Sequence, residues 1–301
     1  MVETSIVIPT FQRPDALCRA INSCLAQRGI DQDCEIVVVD NNADGSSRAM
    51  VEELAAHSAV PIRYVPETRP GISHARNAGV AASTSRYIVF LDDDEEAEPG
   101  WLAALLDTAD RCAADAVVGV VKPRFPPGCR PGEPYPSSQF TRDLGLPSGA
   151  PISWLAGIGN TLLKRSTCIN STEPFDPRFG LIGGEDALLM WQLERCGRKL
   201  VWCAEAAVRE TVPEERLDPR FLLRRAFIRG QVTTFLCATL SLRGQTARMM
   251  AVGCLQAILF GVPALALRAV NDRRWVQLMD RALLGVGKLL WHPRLQRSLY
   301  R

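Results

Sequence analysis

The chain contains 301 residues, of which 47% are hydrophobic and 23% are charged, and this composition excludes a disordered protein, a collagen-like fibre and a small disulfide-bonded scaffold. The formal net charge of +2 gives no indication of a nucleic-acid-binding protein. The charge is unevenly distributed, since residues 1–215 contain 20 Lys and Arg against 30 Asp and Glu, whereas residues 216–301 contain 15 against 3. The acidic first part and the basic last part therefore predict two regions with different surroundings.

The first 110 residues alternate between short apolar runs and helical patterns. Runs rich in β-branched residues predict buried strands at 4–9, 35–40, 61–65 and 86–91. Apolar residues at helical spacing predict helices at 14–27, 47–57, 71–83 and 99–109. This alternation predicts an α/β fold with a mostly parallel sheet and helices on both faces.

The pattern after residue 120 is less regular. Residues 123–151 contain eight prolines and are interpreted as a long loop, and residues 152–164 are predicted to return to the sheet. A helix is predicted at 183–197 and a late strand at 199–208. From about residue 216 the pattern is helical and basic, so we predict an α/β domain at 1–215 and a helical domain at 216–301.

Polar residues follow each of the first four predicted strands. In open α/β sheets, ligands bind beyond the carboxyl ends of the strands. The residues at these ends are Thr10, Gln12 and Arg13, then Asp40, Asn41 and Asn42, then Arg69, and finally Asp92, Asp93 and Asp94. We therefore expect one ligand site at this edge of the sheet.

The most informative of these groups is Asp92-Asp93-Asp94. Three adjacent carboxylates repel one another unless a cation is present. Their oxygens suit Mg²⁺ or Mn²⁺, particularly when a phosphate is a further ligand. The alternative is a solvated acidic turn. A dinucleotide-binding dehydrogenase is excluded, because the sequence after the first strand contains no G-x-G-x-x-G.

Five segments together resemble a family 2 glycosyltransferase with the GT-A fold. They are SIVIPTF at 5–11, EIVVVDN at 35–41, RPGISHARNAG at 69–79, FLDDD at 90–94 and GGED at 183–186. The stretch TVPEERL at 211–217 is similar to bacterial exopolysaccharide glucosyltransferases of the succinoglycan type. The resemblance implies a GT-A catalytic domain at 1–215, with a nucleotide-sugar half at about 1–120 followed by an acceptor half at about 121–215.

The resemblance also implies a role for each residue at the nucleotide site. Pro9, Thr10 and Arg13 would line the nucleotide pocket, Asp40 would accept a hydrogen bond from the base, and Arg69 and Arg76 would reach the base or the diphosphate. Asp93 would belong to the same nucleotide-binding group. Asp94 would bind the metal, and Asp92 would contact the ribose or complete the metal shell.

The implied catalytic residues come later in the chain. Asp186 would be the general base that takes a proton from the acceptor hydroxyl, and Glu185 would be an acceptor ligand or an alternate base. The alternative for this pair is that the two acids only stabilise a helix N-terminus. Trp154 and Asn160 are candidates for contact with the acceptor or the donor sugar. Glu210 is a candidate further metal ligand.

Residues 249–267 form a run of nineteen residues with one polar side chain, Gln256, and with arginines on both sides. This run predicts an interfacial or re-entrant membrane helix, and the alternative is a helix buried against the catalytic domain. The ten irregularly spaced cysteines and the absence of a signal-peptide pattern favour a cytoplasmic protein, which we expect at the cytoplasmic face of the inner membrane.

The function expected from this resemblance is the inverting, Mg²⁺- or Mn²⁺-dependent transfer of a single sugar, such as glucose, from a nucleotide-sugar to a glycan or lipid-linked glycan. A UDP-sugar is the expected donor, and exopolysaccharide synthesis is the expected process. Two alternatives are a polyprenyl-phosphate sugar synthase and a non-catalytic nucleotide- or carbohydrate-binding module. The presence of Asp92, Asp94 and Asp186 argues against the non-catalytic module.

Overall fold

The structure, a computed structural model, describes residues 2–27, 33–129, 139–153 and 157–297. The strands are β1 Thr4–Thr10, β2 Cys34–Asp40, β3 Ile62–Pro66, β4 Tyr87–Phe90, β5 Glu95–Ala97, β6 Ala116–Arg124, β7 Thr161–Lys164 and β8 Leu200–Thr211. The helices are α1 Pro14–Leu25, α2 Arg48–His57, α3 Ile72–Ala82, α4 Trp101–Arg111, α5 Arg165–Cys168, α6 Glu185–Arg195, α7 Pro219–Thr239, α8 Arg243–Ala269 and α9 Trp275–Leu289.

The chain forms two compact units. The first unit contains Met1–Arg124, Phe140–Gly180 and Glu185–Thr211, and the second contains Phe125–Gln139, Leu181–Gly184 and Val212–Arg301. The assignment of a catalytic domain to residues 1–215 and a membrane-associated region to residues 216–301 stays a prediction.

The first unit is built on an eight-stranded mixed sheet with the strand order β3-β2-β1-β4-β7-β6-β8-β5. The strands β1 to β4 pair in parallel, and so do β6 and β8, whereas the pairs β4–β7, β6–β7 and β5–β8 are antiparallel. The predicted α/β fold with a mostly parallel sheet is therefore confirmed. The sequence patterns do not predict β5, because a three-residue strand with two glutamates has no apolar run.

The sheet is covered by helices on both faces, because successive strand residues point to opposite sides. Ile6 and Ile8 of β1 belong to one hydrophobic cluster, which includes residues of α1, α2 and α4. Val7 of the same strand belongs to the other cluster, which includes residues of α3 and α6. The predicted two-sided arrangement follows from strands whose central residues are consecutively apolar and buried, such as Ile6–Ile8 of β1 and Ile36–Val39 of β2, as is usual in parallel sheets covered on both faces.

The second unit contains α7, α8 and α9, which pack through glycines. A Cβ atom on Gly253 of α8 would lie 2.6 Å from the carbonyl oxygen of Gly285 in α9, and one on Gly230 of α7 would meet the backbone of Leu284. These positions therefore require glycine, since any side chain would separate the helices. The predicted helical character of residues 216 onward is confirmed.

Candidate active site

The register of the sheet places the carboxyl ends of β1, β2, β3 and β4 side by side. Thr10 pairs with Asp40, and Asp40 pairs with Pro66. Val7 pairs with Phe90, so the residues after β4 run alongside the last residues of β1. As a result, the Thr10 hydroxyl donates a hydrogen bond of 2.9 Å to Oδ2 of Asp93.

Arg13 joins two of the three consecutive aspartates. Its Nη1 lies 3.1 Å from Oδ1 of Asp93 and 3.0 Å from Oδ2 of Asp94. Burial raises the pKa of Asp93 to about 6, although the Arg13 guanidinium acts in the opposite direction. Arg13 therefore places a positive charge between two carboxylates for which the family resemblance implies contact with the nucleotide and the metal.

Arg76 joins the third aspartate to the start of α6. This buried side chain of α3 places Nη2 3.2 Å from Oδ1 of Asp92, and its Nη1 donates to Oε1 of Glu185. Burial and the neighbouring Asp186 raise the pKa of Glu185 to about 8, against the opposing effect of Arg76. The guanidinium thereby connects β4, α3 and α6, which are distant in sequence.

Asp186 lies one residue further along α6 and differs from Glu185 in exposure. Glu185 is 2% exposed, whereas Asp186 is half-buried. Oδ1 of Asp186 accepts a hydrogen bond of 2.7 Å from the backbone N–H of Ala187. A carboxylate at the first turn of a helix is favoured by the helix dipole and keeps its second oxygen for other contacts.

The Asp92 carboxylate rests directly on the backbone of Gly159. A Cβ atom at residue 159 would lie 2.6 Å from Oδ2 of Asp92 and 3.0 Å from Oε1 of Glu95. The backbone N–H of Asp92 also donates to Oε2 of Glu95 at 3.0 Å, and burial raises the pKa of Glu95 well above its usual value. Gly159 is therefore the residue that allows the turn before β7 to approach the acidic cluster.

Arg142 is a further residue of this region that the sequence analysis did not identify. Its guanidinium donates to the carbonyl oxygens of Gly119 at 3.2 Å and Gly157 at 2.8 Å, and also to that of Gly159. Burial lowers its pKa, although it remains a cation among the carboxylates of Asp92, Glu95, Asp186 and Glu210. A lone arginine in a proline- and glycine-rich loop gives no spacing signal, so only the structure identifies it.

Two predicted nucleotide-binding residues of β2 and the following loops have protein partners. Asp40 is fully buried and accepts hydrogen bonds from the backbone N–H of Asn42 and of Ser47 and from the hydroxyl of Tyr64. Arg69 is more than half exposed and pairs with Glu67, with a shortest distance of 2.8 Å. The contact of Asp40 with a base and that of Arg69 with the nucleotide stay predictions.

The remaining predicted site residues are Pro9, Asn160 and Trp154. Pro9 is buried in β1 opposite Val39. Asn160 is fully buried and bonds the indole N–H of Trp101 and the carbonyl oxygens of Val120 and Ala206, so its amide has three protein partners. Trp154 lies outside the described residues. The proposed sugar contacts of Asn160 and Trp154 stay predictions.

The donor atoms of the aspartate cluster fit a hard divalent cation. Among the residues that the structure describes, no group of three or more His, Cys, Asp or Glu side chains could hold a metal ion by itself. Mg²⁺ sites at phosphates commonly use only one or two carboxylates, with the phosphates as further ligands. Asp93 and Asp94 already face one positive charge, since the Arg13 guanidinium pairs with both carboxylates. Glu210, the candidate further metal ligand, lies in β8 and pairs in register with Glu95. The backbone N–H of the next residue, Thr211, donates to the carbonyl oxygen of Asp94 at 2.8 Å, so the end of β8 adjoins the aspartate cluster.

Residues 5–163 match the family described as glycosyl transferase family 2. Because this match covers more than half of the chain, the chain belongs to that family and is a glycosyltransferase. The family resemblance carried by the strand-end motifs is confirmed.

Two curated relatives indicate where the chain lies within the family. The succinoglycan biosynthesis protein ExoM of Rhizobium meliloti is 32% identical over 233 residues, which are 75% of this chain and 72% of ExoM. The GalNAc(5)-diNAcBac-PP-undecaprenol beta-1,3-glucosyltransferase of Campylobacter jejuni is 30% identical over 112 residues, which cover 36% of this chain and 35% of that enzyme. The chain is therefore a glycosyltransferase related to those of exopolysaccharide synthesis.

Solved structures of glycosyltransferases share the fold. The mannosyltransferase PcManGT of Pyrobaculum calidifontis, in complex with GDP-Man and Mn²⁺, has a TM-score of 0.61 at 18% identity over 96% of this chain and 87% of that chain. Residues 1–349 of S. aureus TarS, in complex with UDP, give a TM-score of 0.56 at 16% identity over 95% of this chain and 90% of that chain. At these identities the likeness shows the GT-A-like fold that the sequence predicts.

Proposed function

We propose that the chain is an inverting glycosyltransferase that uses a divalent cation to move one sugar, such as glucose, from a nucleotide-sugar to a lipid-linked glycan. The observation that carries the proposal is the pair of acidic groups joined by Arg76, which contacts Asp92 after β4 and Glu185 at the start of α6. One group suits a nucleotide diphosphate with its cation, and the other presents Asp186 as a base.

In the proposed reaction, the acceptor hydroxyl oxygen attacks the anomeric carbon while the bond from that carbon to the diphosphate breaks. Asp186 takes the hydroxyl proton during the attack, because an alcohol is too weak a nucleophile unless its proton is removed. The half-buried position of Asp186 leaves its carboxylate more accessible than that of Glu185. A single displacement with the base opposite the leaving group inverts the anomeric configuration.

The diphosphate would be held by the residues of the strand ends. Asp94 and Asp92 are the proposed ligands of Mg²⁺ or Mn²⁺, and a bound cation would neutralise the charge that develops on the departing diphosphate. Arg13 is exposed enough to exchange its carboxylate partners for a phosphate, since 45% of its side chain is accessible. Arg76 holds Asp92 in place from the other side.

Support for the donor and acceptor comes from the related proteins. The complexes of PcManGT and of TarS contain GDP-Man with Mn²⁺ and UDP, and the name of the Campylobacter jejuni relative describes a β-linked transfer to an undecaprenol-linked glycan. We propose a UDP-sugar as the donor and a lipid-linked oligosaccharide of cell-surface polysaccharide synthesis as the acceptor. The proposed location is the cytoplasmic face of the inner membrane, which accords with ten cysteines that are all free thiols.

The Asp186→Asn variant tests the assignment of the base. We expect it to bind the nucleotide-sugar with unchanged affinity in calorimetry, while the transfer rate falls by about 10²-fold or more, because the amide cannot accept the proton. The matched control is Asp107→Asn on the surface of α4, which should leave both quantities unchanged. An Asp186→Asn enzyme with a normal rate would remove Asp186 from the mechanism.

The same assay decides the stereochemistry and the acceptor. Transfer from an α-linked UDP-sugar should give a β-linked product by NMR, and retention of the α configuration would contradict the proposed single displacement. A polyprenyl phosphate offered in place of the glycan should not be glycosylated. Efficient transfer to the polyprenyl phosphate would instead identify a polyprenyl-phosphate sugar synthase.

A further inference from the structure

The outward face of α8 carries a continuous apolar stripe. Its members are 59% to 67% exposed and follow helical spacing, which places them on one face. We call them the α8 stripe: Leu255, Ile258, Leu259, Val262 and Leu265. No charged residue occurs between Arg248 and Arg268. Among the described residues, α8 is the one helix long and apolar enough to cross a membrane, and only 11% of its most apolar part is buried.

The opposite face of α8 is firmly packed against α9. Gly253 contacts the backbone of Gly285, and Gln256 accepts a hydrogen bond of 3.0 Å from Nζ of Lys288. The guanidinium of Arg281 lies 5.2 Å from the ring centre of Phe260. The stripe is therefore one side of a helix whose other side is occupied, and a surface of this apolar character marks an interaction site.

The helices that pack on α8 argue against a membrane span. Exposed guanidiniums lie on α7 at Arg224 and Arg229 and on α9 at Arg281. If α8 crossed the bilayer with α7 and α9 attached, these side chains would enter the hydrocarbon, where a charge is costly. A helix lying flat in the headgroup region would bury the stripe alone and leave the arginines in water.

The charges at the two ends of α8 define the chemistry of its partner. Arg243 and Arg248 lie at its beginning, and Arg268 and Arg273 lie at or beyond its end. A second copy of the chain would bring arginines against arginines whether the two helices ran parallel or antiparallel. A surface with anionic phosphates at both ends of an apolar strip complements this pattern, because guanidiniums bind phosphate oxygens in a bidentate manner.

We propose that α8 binds a leaflet of anionic phospholipid, with its stripe inserted between the acyl chains and its terminal arginines at the phosphates. Lipid binding itself is independent of catalysis. Its purpose, to bring the enzyme to a lipid-linked acceptor, rests on the proposed function.

Vesicle flotation with the purified full chain tests the proposal without donor or acceptor. We expect binding to vesicles of phosphatidylcholine with phosphatidylglycerol and little binding to phosphatidylcholine alone. Leu259→Asn with Val262→Asn should abolish the binding, whereas the exposed control pair Leu144→Asn with Leu146→Asn should retain it. Arg243→Gln with Arg248→Gln should weaken binding about fivefold for each charge removed, and Arg48→Gln with Arg111→Gln should not.

A probe on Cys254 distinguishes a flat helix from a span. Cys254 is exposed and lies near the middle of α8. In a variant whose other accessible cysteines are serine, a fluorophore at Cys254 should be quenched most strongly by lipids brominated near the headgroup. Quenching at the bilayer centre would overturn the flat orientation in favour of a span.

Other results would also overturn the proposal. If the Leu259→Asn, Val262→Asn variant bound vesicles as well as the wild type, the α8 stripe would not be the membrane-binding surface. If the wild type bound neutral and anionic vesicles equally, the arginines would have no role in binding. A lipid-free dimer that the same variant dissociates would show that the stripe is the interface of a second copy. If the unmodified full chain bound vesicles but transferred no sugar, the result would count against the proposed function and not against lipid binding.

Discussion

Glu185 and Asp186 are adjacent in sequence but have different surroundings. The Glu185 carboxyl is buried and accepts a hydrogen bond from the Arg76 guanidinium. Asp186 is half-buried and accepts a hydrogen bond from the backbone N–H of Ala187. The sequence alone treats both as candidate bases. The structure separates a carboxyl with an anchoring contact from one with greater access to solvent, and this difference has a measurable consequence for stability.

The Glu185→Gln variant should change how stability depends on pH. With a pKa of about 8 in the folded state against 4.5 ordinarily, Glu185 binds a proton on folding between these values. The folded state of the wild type therefore gains stability as pH falls from 8 towards 4.5, by up to about 1.4 kcal/mol per pH unit. Glutamine does not titrate, so this contribution disappears in the variant.

Urea unfolding at pH 5.5, 6.5 and 7.5 measures the effect. The difference in unfolding free energy between the wild type and Glu185→Gln should shift in favour of the wild type as pH decreases. Glu53→Gln on the exposed surface of α2 is the control and should give a constant difference. Parallel curves for the wild type and Glu185→Gln would contradict the raised pKa.

The Asp94→Ala variant tests the proposed metal ligand. Ligands that bind only the folded state raise the melting temperature, so the wild type should be stabilised by a UDP-sugar more strongly with Mn²⁺ than with EDTA. We expect Asp94→Ala to lose this Mn²⁺-dependent increment, while the exposed control Asp44→Ala keeps it. A full increment in Asp94→Ala would remove Asp94 from the metal site.

At the scale of elements, the strand register explains which parts of the site could be predicted. Buried parallel strands read as apolar runs, and the residues that end them must share one edge, so the contact of Thr10 with Asp93 follows from the pattern. The contact of Arg76 with Glu185 links residues 109 apart and depends on how α3 and α6 pack. The sequence offers no spacing rule for such a contact, and Asp40 likewise shows its internal partners only in the folded chain.

Arg142 provides the test at this scale, because it connects the turn before β7 to β6. Arg142→Lys keeps the charge but cannot reach all the carbonyl oxygens of Gly119, Gly157 and Gly159 at once. We expect it to lose about 2 kcal/mol of stability, because a buried carbonyl left without a donor costs about 1–3 kcal/mol. Arg142→Met should lose at least as much.

The transfer rates of the two variants separate charge from geometry. Arg142→Met also removes the cation that faces Asp92 and Asp186, so its kcat should fall well below that of Arg142→Lys. Urea midpoints and initial rates measure both effects, with Arg86→Lys as the exposed control. Equal rates for the lysine and methionine variants would show that the charge has no part in activity.

At the scale of the whole molecule, the net charge of +2 conceals two oppositely charged regions. Residues 216–301 carry 12 more positive than negative side chains, and α7, α8 and α9 belong to this part. An anionic surface therefore attracts the basic region and repels the acidic one. Since such long-range forces are screened over about 8–10 Å at 0.1–0.15 M salt, ionic strength should control the association.

We expect binding to vesicles with phosphatidylglycerol to weaken by about tenfold or more between 50 and 500 mM NaCl, because each arginine near the surface contributes about 1 kcal/mol that salt screens. Arg243→Gln with Arg248→Gln should lower both the affinity and its salt dependence, whereas the exposed pair Arg48→Gln with Arg111→Gln in the first unit should change neither. The measurement is the bound fraction in flotation at graded salt, with transfer to a water-soluble acceptor assayed in parallel. Because the soluble acceptor needs no membrane, its glycosylation should stay nearly constant while vesicle binding falls. Vesicle binding that did not change with salt would show that the basic region does not drive the association.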